Sequence, residues 1–180
     1  MSLSTLVLSL ADNKQMLGLR YAEWATRAPS LEADIAAAAM GLDDLGHARV
    51  LYGCLEALGD DPRRPEREID PGSYLALPYF DQPWTAWGQF VAANAVLDTA
   101  FTVMIQACVE GNEEVLRTRL RKMLSEERYH FLHGRSWLKA GIDHEHCRMP
   151  GGRRSSGSAR ATATSPSCSG RGPSRWARLN

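Results

Sequence analysis

Five prolines, Pro62, Pro65, Pro71, Pro78 and Pro83, fall between residues 60 and 84. A ring that locks φ and removes an N–H cannot recur inside a helix, so this stretch divides the chain into halves joined by a long crossover. Each half reads as two helices. Residues 4 to 26 carry Leu6, Leu10, Leu17, Tyr21 and Trp24 on a helical period and stop at "RAPS", residues 27 to 30. Ser30 suits the N-cap of a second helix over 31 to 58, and Gly59 its end. A third helix spans about 85 to 110, with Trp87, Phe90, Val91, Leu97, Phe101, Met104 and Ile105 as its apolar stripe. A fourth covers about 113 to 139, with Gly141 as its cap. Two helical hairpins joined by a long crossover predict an all-α, ferritin-like four-helix bundle.

Within this pattern an acid and a histidine stand three residues apart twice, as Asp44 and His47 in "DDLGHAR" and as Glu127 and His130 in "EERYH". Residues three apart share a helical face, so a carboxylate oxygen and an imidazole nitrogen can reach one ion. Two such pairs on alternate helices, with one carboxylate from each remaining helix, make the ligand set of a di-iron bundle. Asp98 fits the third helix, being an acid inside the apolar "NAVLDTAF". Counted from a turn at Gly111, it lies 13 residues before and Glu127 lies 16 after. At about 1.5 Å per residue the mismatch is about 4.5 Å. On the first helix the matching level falls at Lys14 or Gln15, neither a carboxylate, while Asp12 and Glu23 point away from the stripe.

The expected metal ligands are therefore Asp44, His47, Asp98, Glu127 and His130, with a gap on helix 1. The alternative is a polar core in which these groups satisfy one another and hold no metal. His133, three residues beyond His130, reads as a surface residue, with a place behind the ligands as the alternative, and "DHEHC", residues 143 to 147, as a solvated segment.

The last 30 residues, 151 to 180, hold six of the 21 basic residues and none of the 21 acidic ones, leaving 15 basic against 21 acidic before them. A mildly acidic body gives no reason to expect nucleic acid as a partner. No uninterrupted apolar run approaches the roughly 20 residues of a membrane span, and the N-terminus lacks a basic region and cleavage site, so a cytoplasmic location is expected. Cys54, Cys108, Cys147 and Cys168 are scattered, without the spacing of a zinc site or a disulfide framework. The body, residues 1 to 142, reads as the helical bundle. Residues 143 to 180, poor in large apolar groups, read as a disordered tail, whose composition resembles a coding region read out of frame.

On "DNKQMLGLRYAEWATRAPSLE", "GLDDLGHAR" and "EERYHFLHGRSWLKAG", the chain resembles the phenylacetic acid catabolic protein family, the ferritin-like subunits of a bacterial phenylacetyl-CoA ring epoxidase. The resemblance spans about residues 5 to 142. It implies a complex of a catalytic di-iron subunit, a related partner subunit with an incomplete site, a small accessory subunit and a reductase, acting on the ring of a CoA thioester.

"RAPSL" and the order of residues 44 to 47 look like the catalytic subunit. The "DN" at 12, "EW" at 23, "GLD" at 41 and "RYH" at 128 look like the partner, as does the absence of a helix 1 glutamate at Lys14 and Gln15. The family's further helices are replaced by the tail. The resemblance implies a partner subunit. The alternatives are the catalytic subunit itself, with iron held by the residues above, and a ferritin-like metal-binding protein.

Overall fold

The computed structural model describes residues 2–59 and 74–143. Among these the chain is all α, with no strand. Helix α1 runs from Leu3 to Ala22, its first turn capped by Ser2, whose side chain accepts from the Thr5 amide. Helix α2 runs from Leu31 to Ala57, and Ser30 Oγ accepts from the Ala33 amide. Gly59, two residues beyond α2, has φ of 86°, the left-handed conformation glycine adopts without penalty. The α1 and α2 axes approach closely at a pair of glycines. A Cβ on Gly18 would lie 2.9 Å from the Gly41 carbonyl oxygen, and one on Gly41 3.1 Å from that of Gly18.

Helix α3 runs continuously from Trp87 to Glu110, with a π turn over Ala93–Asp98. By length and composition it is apolar enough to cross a membrane. Its inward face, with Phe90, Phe101 and Ile105 buried and Asp98 among them, is that of a core helix. The expected fourth helix is two: α4, Glu114–Arg119, and α5, Arg121–Asp143, separated at Leu120. Helix α5 continues through Gly141, whose φ is not positive; the expected cap does not form there. Two helical hairpins joined by a long crossover give the expected bundle topology. The crossover's residues 60–73 lie outside the described residues. So does the expected tail from 143 onward, apart from Asp143, which ends α5, and so do His144, His146 and Cys147 of "DHEHC".

The part of the crossover that is described is fastened to the outer edge of α1 by side chains. Asp12 Oδ2 accepts from the Leu75 amide at 2.7 Å, Asn13 Oδ1 accepts from the Leu77 amide at 2.9 Å, and Arg20 donates twice to the Phe80 carbonyl. Phe80, in a 3₁₀ turn over Pro78–Phe80, then packs with Trp84 onto Tyr21 and Phe90. Trp24, Trp87 and Trp137 extend this aromatic cluster at one end of the core, with Trp87 stacked on Phe90 at 4.2 Å. Aromatic side chains bury large areas each, so this cluster supplies much of the apolar burial at that end. Cys54 and Cys108 are buried free thiols, as small core residues would be.

Candidate functional site

At mid-height the apolar core gives way to charge. Asp44, His47, Asp98, Glu127 and His130, brought from α2, α3 and α5, are all buried. Asp44, Asp98, Glu127 and His130 bring ligand atoms within 4.8 Å of one another, a spacing that could hold a metal ion.

Into this group projects Lys14, from the fourth turn of α1. It is wholly buried, on the same stripe as Val7, Leu10, Leu17 and Tyr21. Its Nζ donates to Asp44 Oδ1 at 2.8 Å, to Glu127 Oε1 at 2.5 Å and to Asp98 Oδ1. The three N–H bonds of one ammonium are thus matched to one carboxylate from each of the other three helices of the bundle.

The electrostatics follow from this geometry. Burial is the strongest influence on Lys14 and acts to lower its pKa, but the fields of Asp44, Asp98 and Glu127 together outweigh it and hold the ammonium well above the ordinary lysine value. Asp98 is buried, which alone would raise its pKa; Lys14 and His130 reverse this and hold it well below the carboxylate range. Asp44 goes the other way, since burial and the nearby Asp98 prevail over Lys14 and raise it. Its Oδ2 is a buried oxygen with no hydrogen-bond partner among the described residues.

Both histidines are shifted toward the imidazolium form. Burial lowers each, yet the adjacent Asp44 and Glu127 carboxylates bring His47 up to about 10, and Asp98 and Asp44 bring His130 to about 9. Each ring reaches an inner and an outer acid. His47 Nε2 lies 2.9 Å from Glu126 Oε2, and its Nδ1 lies 2.8 Å from Glu127 Oε1, close enough for an ion pair though off the line of a good hydrogen bond. His130 Nδ1 lies 3.0 Å from Asp98 Oδ2 and its Nε2 3.5 Å from Asp43 Oδ2. Three cations, Lys14, His47 and His130, stand against three inner carboxylates, Asp44, Asp98 and Glu127, and with all six ionised their charges cancel.

These residues, as they stand, do not fit a di-iron pair. A carboxylate binds such an ion at about 2.0–2.2 Å, so an ion bridging these oxygens would need the place of Nζ. The fourth helix of the set contributes a cation where a di-iron bundle requires a carboxylate.

Several partners were not signalled by acid–histidine spacing. Tyr21 Oη donates to Asp98 Oδ2 at 3.3 Å, and Thr102 Oγ1 lies 3.0 Å from Glu127 Oε2. Asn94 and Asp98, four residues apart across the π turn, both face inward, and Asn94 Nδ2 donates to Asp98 Oδ2 at 3.4 Å. His133, expected at the surface, is partly buried. Its Nε2 accepts from Trp137 Nε1 at 3.1 Å, which places its proton on Nδ1, facing Asn94 Oδ1 at 3.1 Å. Burial, together with the neighbouring His130 charge, pushes His133 down to about 4, so it is neutral. A run of hydrogen bonds thus leads from Trp137 through His133 and Asn94 to Asp98. Asp12, expected to point away from the core, is buried on another side of α1, where Tyr52 Oη donates to it at 2.8 Å; it takes no part in the cluster.

Fold and centre together define a helical bundle of the carboxylate-and-histidine kind in which a lysine stands among the acids and histidines. Comparison with known proteins supplies the family. The model of the phenylacetic acid catabolic protein family matches residues 1–150, and the chain belongs to that family. It is 32% identical over 144 residues to a subunit of the 1,2-phenylacetyl-CoA epoxidase of Escherichia coli (strain K12), an alignment covering 76% of this chain and 56% of that protein. The chain thus spans little more than half the length of this curated relative.

Proposed function

We propose that this chain is a cytoplasmic partner subunit of a multicomponent phenylacetyl-CoA-type ring epoxidase, supporting a related oxygen-activating subunit and not activating oxygen itself. The observation that carries this reading is Lys14, whose Nζ bonds to Asp44, Asp98 and Glu127 together. Oxygen activation in a carboxylate bundle depends on redox metal held by those acids, and an ammonium there supplies charge without electrons. The likeness to a subunit of such an epoxidase supports the assembly role. So do the exposed apolar side chains Leu31, Ile35 and Leu42, which fall on one face of α2 and suit burial against another protein.

The test is reconstitution of this chain with the related subunit and reductase of the same complex, followed by separation and iron analysis of each chain. Iron confined to the other subunit, and epoxidation requiring it, is the expected result. Stoichiometric iron in this chain, or turnover by this chain with reductase alone, would establish the catalytic reading instead.

A further inference from the structure

We propose that Lys14 is a plug in a divalent-cation cage that is otherwise intact, so that removing its ammonium opens a site for one metal ion among Asp44, Asp98, Glu127 and His130. The inference rests on reading Lys14 as the cation of the centre, and extends it to what the surrounding side chains retain.

Two independent observations carry it. The four groups bring ligand atoms within 4.8 Å of one another, and all four are buried, so the ligand positions are set by the packing of three helices. Asp44 Oδ2 is a buried carboxylate oxygen that no hydrogen bond uses among the described residues. Buried polar atoms are almost always satisfied, and an unspent oxygen on a carboxylate whose other oxygen already holds the central cation is what a second contact to a more highly charged ion would take up. An ammonium with three N–H groups satisfies three oxygens; a divalent ion takes four or more ligands. The cage therefore has more donor capacity than its occupant uses. Without Lys14 the four groups present three carboxylates and one imidazole to a cation.

The experiment compares the wild-type chain with Lys14→Ala and Lys14→Glu, titrated anaerobically with Co(II), whose visible absorption reports coordination. The wild type is expected to show no such band. Each variant is expected to bind about one Co(II) per chain, at least about tenfold more tightly than the wild type, with Lys14→Glu the tighter because it adds an oxygen donor from α1. Adding Asp98→Asn to Lys14→Ala should weaken the uptake at least about tenfold; uptake unchanged by that second substitution places the ion elsewhere and overturns the proposal.

Because removal of a buried cation destabilises, each variant is also refolded with and without Co(II). Recovery of helical signal only with the ion supports the cage. A variant that folds without binding Co(II), or fails to refold even with it, overturns it. Iron in the wild-type chain would instead remove the partner-subunit reading, so the two failures are distinct.

Discussion

Lys14 Nζ lies 2.5 Å from Glu127 Oε1, joining the first helix of the bundle to the last across 113 residues of sequence. Both groups are buried, and breaking a buried ion pair from one side leaves the other charge uncompensated, at about 3–5 kcal/mol. Lys14→Met should therefore lower stability in metal-free buffer by about that amount, measured by urea denaturation. Adding Asp98→Asn to Lys14→Met removes one stranded charge, so the double variant should be less destabilised than the sum of the two single changes.

Stability should fall with rising pH above neutrality. His47 and His130 have folded pKa values of about 10 and about 9, both above the unfolded histidine value near 6.5. Their contribution is fully present below about 6.5 and is lost as pH rises through 9 to 10, because the folded state holds protons that the unfolded state has released. The slope approaches about 1.4 kcal/mol per pH unit for each group within that window. Urea midpoints at pH 7, 8 and 9 should decline in that order, and replacing both histidines by glutamine should flatten the profile.

His133 has the opposite sign. Its folded value near 4 means that the unfolded chain takes a proton first as pH falls below about 6.5, so this residue contributes a loss of stability between about pH 6.5 and 4. The signature is specific in nuclear magnetic resonance: the His133 ring should keep its Nδ1-protonated tautomer down to about pH 5, while His47 and His130 are doubly protonated at pH 7.

Gly134 is where α5 meets the π turn. A Cβ there would lie 2.8 Å from Asn94 Oδ1 and 3.0 Å from the Cα of Ala95; the first atom can swing away, but the second is backbone. Gly134→Ala should cost about 1–3 kcal/mol as an overpacking change and disturb the His133–Asn94 contact, visible as a shift of the His133 resonances.

Asp12→Ala removes the acceptor for both Tyr52 Oη and the Leu75 amide. Losing these two hydrogen bonds should cost about 1–3 kcal/mol in all. Limited proteolysis should show faster cutting near residues 74–77 in this variant, where the backbone loses its attachment to α1, with α1–α2 packing otherwise unchanged.

Much of this was written in local patterns. The proline cluster gave the division into hairpins, Ser30 and Gly59 gave the limits of α2, and the acid–histidine pairs identified five side chains that do converge. Lys14 also lay in view, at the height opposite Asp44 and on the stripe of Leu10, Leu17 and Tyr21. A search for a missing carboxylate passes over a lysine, although an ammonium meets the same need for positive charge.

The π turn over Ala93–Asp98 was not legible, because an extra residue in a turn leaves no compositional mark in "ANAVLD". Helix periodicity puts Asn94 and Asp98 on one face, but their placement against Gly134 and His133 follows from how α5 packs. The break at Leu120 was missed for a similar reason, since nothing in "RTRLRK" forbids an unbroken helix and only tertiary packing of Leu116, Leu120 and Met123 sets it.

A central cation that is part of the polypeptide has a consequence beyond stability. It arrives in stoichiometric amount with every translated chain, cannot be stripped by a chelator, and generates no reactive oxygen species when a partner is missing. On the partner-subunit reading proposed above, maturation of this bundle would be uncoupled from the cell's iron supply, and a scarcity of the metal would limit the assembled complex without removing the scaffold on which it is rebuilt.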